Sequence, residues 1–257
     1  MSKLRVDLNA DMGESFGPWK MGNDEALLEV ISSTNIACGV HAGDWDVMAR
    51  TMKMAVSQNV GIGAHPGLPD LQGFGRRNMA LPPESAANLV RWQLGAAQGM
   101  AKAAGGSVRH LKLHGAIANM ASRDEELARA CYTGALSVDP KIILVVLAGT
   151  AQQRVAEAIG ARMACEIFAD RAYHDDATLV DRSQPHALIH DASIAAPRIV
   201  EMVREGVIIA ESGKRIPTRI DTICLHGDNP GAVAIAQQVR RALEDADIEV
   251  QQFEGGR

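Results

Sequence analysis

The chain has 257 residues, 47% of them hydrophobic, enough to bury one large core and near the roughly 200–250 residues over which α/β barrels stay a single domain, so one domain spanning residues 1–257 is expected. Its 26 Lys and Arg against 31 Asp and Glu leave a formal charge of −5 with no basic face for a phosphate backbone, which argues against a nucleic-acid partner. No stretch reaches about 18 uncharged apolar residues and the first residues run directly into a strand-like segment, so neither a membrane nor an apolar signal core is indicated and the cytoplasm is the expected location.

In chain order, Leu4 to Ala10 reads as a strand ending in polar Asn9 and Asp11, and Asp24 to Ile31 as a helix with Ala26, Leu27 and Val30 on its apolar stripe. The pair then recurs: strand Asn35 to Cys38, helix Asp44 to Gln58, strand Val60 to Ala64. A Gly- and Pro-rich loop from His65 to Leu81 leads to a helix opened by Pro82 and Pro83 and running toward Ala104. Strands at Val108 to Leu113, Ile142 to Leu147 and Ala164 to Ala169 alternate with helices at Arg123 to Leu136 and Ala151 to Ile159. The remainder is less regular, with a helix at Ile194 to Arg204, a hairpin-like pair around Gly213, a strand at Thr222 to Leu225, a helix from Pro230 to Ala242 and a last strand at Ile248 to Phe253. About seven parallel strands in repeated βα units predict an α/β, TIM-barrel-like closure, with a doubly wound open sheet as the alternative. Cys38, Cys131, Cys165 and Cys224 are dispersed in apolar or small-residue surroundings, form no CxxC pair, and fit buried thiols of a reducing compartment.

Polar residues gather at the carboxyl ends of these strands: Asn9, Asp11 and Glu14; Cys38, His41 and Asp44; His65, Asp70 and Arg76; Lys112 and His114; Asp170 and Arg171; His226 and Asp228. In a barrel such ends converge on one mouth, where these folds keep their active sites. Neither a GxxxxGK phosphate loop nor a dinucleotide fingerprint occurs, so a nucleotide site is not legible from motifs. His41, His65, His114 and His226 with Asp11 could supply metal ligands, with Asp11, His41 and His65 the first candidates, but the spacing is not diagnostic and HExxH is absent. The same histidines could equally act as substrate contacts or as acids and bases. His174, His186 and His190 lie in the irregular part, where surface roles are expected.

On DLNADMGESFG at Asp7 to Gly17, ISSTNIACGVHAGD at Ile31 to Asp44, GAHPGLPDLQGFGRR at Gly63 to Arg77, FADRAY at Phe168 to Tyr173 and ICLHGDNP at Ile223 to Pro230, the sequence resembles the LamB/YcsF family over nearly its whole length. The resemblance implies a distorted (β/α) barrel related to the metal-dependent polysaccharide deacetylases. It also implies opening of 5-oxo-L-proline to L-glutamate at the expense of ATP, with Mg2+ accompanying the nucleotide, in a complex with B and C subunits of a 5-oxoprolinase. Departures from the family pattern fall at Leu113 and Ala118, where proline and tyrosine are usual, at Ala177, where a glycine follows the aspartate, and at His186, where glycine is usual.

For such a reaction the mouth needs a cation for developing negative charge, a base for water and a donor for the ring nitrogen. Lys112 and Arg76 are the cation candidates, Asp11 with His41 the base pair, and His65, His114 or His226 the acid; Asn9, Glu14, Arg171 and Asp228 complete the expected substrate contacts. Two other classes fit the same residues: a metal-dependent deacetylase or amide hydrolase acting alone, and a substrate-binding or regulatory subunit without chemistry of its own.

Overall fold

The computed structural model describes residues 3–225 and 231–256. In chain order the elements are β1 (Arg5–Met12), α1 (Asp24–Leu28), β2 (Ser33–Ala37), α2 (Trp45–Ser57), β3 (Gly61–His65), α3 (Pro83–Ala103), β4 (Val108–Lys112), α4 (Gly115–Ala121), α5 (Glu125–Val138) and β5 (Ile143–Leu147). There follow α6 (Ala151–Ala158), β6 (Met163–Phe168), α7 (Ala192–Glu205), β7 (Val207–Ile209), β8 (Arg215–Pro217), β9 (Thr222–Leu225), α8 (Ala232–Asp245) and β10 (Glu249–Val250). Every residue of β2, β3, β5, β6 and β9 is buried, the signature of parallel strands covered on both faces rather than of an alternating solvent-facing sheet.

The strands pair in parallel in the order β1-β2-β3-β4-β5-β6-β9, and β9 returns to β1 to close a seven-stranded barrel. Thr222 is the closing residue, in register with Asp7 on one side and Glu166 on the other. The expected barrel is thus the observed one, and the open sheet is excluded. The two short strands β7 and β8 form an antiparallel hairpin outside the ring, turning at Gly213 with φ +86° as its position in the sequence suggested. Among the described residues β10 pairs with Arg5 and Val6 of β1, so the expected six-residue last strand shrinks to two.

Local chemistry explains where the helices begin. The side chains of Asp44, Asp124, Thr150 and Asp191 accept from the first backbone N–H groups of α2, α5, α6 and α7. Two boundaries depart from the sequence reading. The first helix stops at Leu28, after which the Val30 and Ile31 N–H groups both turn back onto the Leu27 carbonyl. A helix not anticipated, α4, starts directly after His114; no side chain caps it, and Gly115 at φ +59° makes the turn from strand into helix. Among the described residues no helix is long and apolar enough to cross a membrane.

The main core lies between the barrel and its helices. A small apolar cluster of Ile143, Val145, Ala164 and Phe253 packs apart from the main core, while the strands bury polar Asp7, Asn9, Asn35, His110, Lys112, Glu166 and Thr222. This polar filling positions the site.

Candidate active site

The interior network begins at Asp7, whose carboxylate accepts from Ser32 Oγ and Ser33 Oγ at 2.7 Å each and from the Thr222 hydroxyl. Burial pushes its carboxyl up to about 6 in spite of these donors. One layer higher, Asn9 Nδ2 donates to Thr222 Oγ1 at 2.7 Å and Glu166 Oε1 at 3.1 Å, while Asn35 Nδ2 donates to Asn9 Oδ1 at 2.7 Å and Asp11 Oδ1 at 2.9 Å. His110 Nε2 lies 3.0 Å from Asn35 Oδ1, and burial pushes this histidine down to about 3, so its ring is neutral. The ring fits because Gly63 faces it: a Cβ there would stand 2.1 Å from His110 Nε2.

Lys112, at the carboxyl end of β4, sets its Nζ 2.9 Å from Asp11 Oδ1, 2.9 Å from Glu166 Oε1 and 2.9 Å from Cys224 Sγ. Burial opposes its charge, but Asp11, Cys224 and Glu166 together hold its pKa well above the ordinary lysine value. Burial raises the Glu166 carboxyl, with Lys112 pulling the other way, and raises the Cys224 thiol well above the usual range. One ammonium therefore stands between two carboxylic groups and a neutral thiol.

Above this cluster the histidines meet. His65 Nε2 lies 3.3 Å from Asp11 Oδ2 and 2.9 Å from His114 Nδ1. His41 stacks on His114 with ring centroids 3.7 Å apart and planes at 9°. Glu14 Oε1 stands 4.0 Å from His114 Nδ1. The donor atoms of Glu14, His41, His65 and His114 all lie within 4.8 Å of one another, so these four side chains are the group among the described residues that could hold a metal ion. Burial lowers the pKa of His41 and of His114 well below the ordinary histidine range. A cavity of about 1170 Å3 opens over the cluster; Asp11, Glu14, His65, Lys112, His114 and Glu166 form its floor, and Arg76, Phe168 and Arg171 its walls.

The structure gathers Asn9, Asp11, Glu14, His41, His65, Lys112 and His114 as the sequence suggested, and Arg76 reaches the cavity with its guanidinium over the Phe74 ring at 4.8 Å. His226 and Asp228 lie outside the described residues. Two details change. The histidine in direct contact with Asp11 is His65 and not His41, because β1 and β3 bring these ends face to face while His41 sits on the loop after β2. Arg171 lines the cavity and also donates to the carbonyls of Val180 at 2.6 Å and Ala187 at 3.4 Å, bracing the loop that walls it.

Glu166 and His110 were missed, and both carried a signal. Glu166 is a charged residue inside an otherwise apolar strand, and His110 precedes Lys112 by two positions on the same strand face.

Fold and site together define a closed seven-stranded α/β barrel with acid, base and cationic side chains at one mouth. Residues 6–257 match the LamB/YcsF family, and the chain belongs to that family. It is 64% identical over 250 residues to the 5-oxoprolinase A subunit of Ruegeria pomeroyi, covering 97% of this chain and 99% of that relative. The crystal structure of the lactam utilization protein from Thermus thermophilus superposes with a TM-score of 0.91 at 43% identity, over 97% of this chain and 100% of that one. A solved deacetylase, T48, with substrate bound shares the fold at a TM-score of 0.51 and 15% identity, over 98% of this chain and 94% of that one.

Proposed function

We propose that the chain opens the lactam ring of 5-oxo-L-proline to L-glutamate, coupled to ATP hydrolysis, as the A subunit of a complex with B and C subunits. The name of the 64%-identical relative supports the substrate and the subunit role. The observation that carries the chemistry is the triad at the cavity floor, where Lys112 Nζ bridges Asp11 and Glu166 at 2.9 Å each.

A lactam is a poor electrophile with a poor leaving group, and phosphorylation of its oxygen removes both obstacles. The lactam oxygen attacks the γ-phosphorus of ATP, releasing ADP. Water then adds to the activated ring carbon, giving up its proton to Asp11, while Lys112 offsets negative charge developing on the oxygens. The carbon–nitrogen bond breaks as the ring nitrogen takes a proton from Glu166, whose carboxyl burial raises, as suits an acid. A second water cleaves the resulting acyl phosphate to glutamate and inorganic phosphate. One water is consumed by ring opening and one by ATP, so the reaction balances. The nucleotide with its Mg2+ is assigned to the partner subunits, since the chain carries no phosphate-loop motif.

The purified chain alone is expected to form little or no glutamate from oxoproline and MgATP, and to gain activity when B and C subunits are added. Robust ATP-dependent glutamate formation by the isolated chain would overturn the assignment of the nucleotide to the partners, and a reconstituted complex inert toward oxoproline would overturn the substrate. The histidine cluster also favours a second reading, a stand-alone metal-dependent amide hydrolase, which predicts activity without ATP that is lost on chelation.

A further inference from the structure

The histidine cluster above the triad has an electrostatic problem that its hydrogen bonds create. His65 Nδ1 lies 2.8 Å from the Lys112 carbonyl oxygen, and His114 Nε2 lies 2.8 Å from the Phe74 carbonyl oxygen. A carbonyl only accepts, so each contact fixes the ring proton on the outer nitrogen and turns the lone pair of the inner one toward the cluster. The two inner nitrogens, His65 Nε2 and His114 Nδ1, are then 2.9 Å apart, lone pair against lone pair. Asp11 Oδ2 stands 3.3 Å from the first and Glu14 Oε1 4.0 Å from the second, so the nearest carboxylates add negative charge rather than a donor. A positive centre belongs between them, either a proton on one ring or a metal cation.

His41 separates these two. It is fully buried, and neither of its ring nitrogens has a hydrogen-bond partner among the described residues. A buried polar group left so is destabilising, and a proton shared by His65 and His114 would do nothing for it. The ring is held there by close backbone approach: a Cβ on Gly67 would come within 2.4 Å of His41 Nδ1, and one on Gly75 within 2.7 Å of His41 Cβ. A cation reached by all four donors satisfies His41 and relieves the facing lone pairs together.

We propose that Glu14, His41, His65 and His114 hold a resident divalent transition-metal ion. Three imidazoles and one carboxylate are a borderline-soft set, suited to zinc, cobalt or nickel rather than to magnesium or calcium, which take oxygen ligands. The carbonyls of Lys112 and Phe74 serve as the outer partners that orient ligating histidines. Such an ion would polarise a carbonyl or phosphoryl oxygen in the cavity beside Lys112. The inference stands on the donor geometry and not on the oxoproline reading, and binding can be measured without turnover.

The test is calorimetric titration of the chelator-stripped full-length chain with Zn2+, and of Co2+ with its visible absorption followed. One ion per chain with cobalt bands of nitrogen and oxygen coordination is expected. His65→Ala and His114→Ala are expected to lose at least about 10-fold in affinity, and Glu14→Gln, which keeps the shape, to weaken binding while the chain stays folded by circular dichroism. His186→Ala serves as the control, because His174 and His186 both lie against Glu211 on the surface and could collect an adventitious ion. No stoichiometric binding by the folded parent would overturn the proposal. So would binding that survives all three cluster variants, or that disappears with His186→Ala.

Discussion

Lys112 shows how much one residue is asked to do. Its ammonium bridges two buried carboxylic groups, so Lys112→Met removes the charge that stands between Asp11 and Glu166. Removing one partner of a buried ion pair costs about 3–5 kcal/mol, and that is the loss of stability expected at pH 8 from denaturant melts. The loss should shrink as pH falls, because burial already raises the Glu166 carboxyl and its protonation ends the repulsion; a loss independent of pH would contradict the pairing. Packing gives a second expectation: Gly63→Ala sets a methyl 2.1 Å from His110 Nε2, with the ring enclosed on every side, and should destabilise by about 3 kcal/mol or more by the same measurement. At this scale the sequence was legible where polarity interrupts the chain at a strand end, as at Asp11, His65, Lys112 and His114. It was less legible inside strands. Attention to strand ends passes over Glu166 and His110, because a barrel interior admits polar side chains at every second position along the strand and not only at the mouth.

Among the elements, the segment between β6 and α7 departs most from regular structure and carries a testable strain. Ala177 is buried and has φ +66°, a left-handed conformation that costs a residue with a Cβ about 1–2 kcal/mol. This is the position at which the family resemblance places a glycine. Relief of that strain should offset the lost methyl and the added freedom of the unfolded chain, so Ala177→Gly is expected to leave the melting temperature unchanged or raise it. Ala196→Gly, at an equally buried position within helix α7, should lower stability by about 1 kcal/mol. Equal losses at both positions would contradict the strain. Elements with a capping side chain, such as α2 at Asp44 and α5 near Asp124, could be placed from the sequence to within a few residues. Helix α4 could not: it has no capping side chain, and its seven residues are mostly small, so neither its start nor an apolar stripe stands out.

At the scale of the whole molecule, closure depends on contacts between residues far apart in sequence, such as Asp7 and Asn9 with Thr222, and periodicity carries no trace of them. The βα repeat narrowed the choice to a barrel or an open sheet; only pairing of β9 with β1 decides it. Closure also buries Asp7, and this sets a pH dependence. Asp7 titrates near 3.8 in an open chain and at about 6 in the barrel, so its contribution to stability is fully present below pH 3.8 and is lost as pH rises through about 6. At about 1.4 kcal/mol per pH unit the ionised carboxyl costs about 3 kcal/mol. Asp7→Asn should therefore gain stability over the parent at pH 8 and lose that advantage near pH 4; a constant difference across that range would contradict the burial of a charge at the barrel's closing seam. The central claim, that ring opening occurs at the Asp11–Lys112–Glu166 floor of this barrel, is tested most directly by steady-state glutamate formation with the chain reconstituted with B and C subunits under saturating MgATP and oxoproline. Because Lys112→Met is expected to be less stable, Asp11→Asn and Glu166→Gln are measured beside it, with assembly checked by gel filtration. Variants that assemble should lose roughly 10²-fold or more in kcat, the scale of losing one such electrostatic or proton-transfer contact. Assembled variants that turn over at the parental rate would contradict the claim and leave the triad as a structural element of the barrel interior.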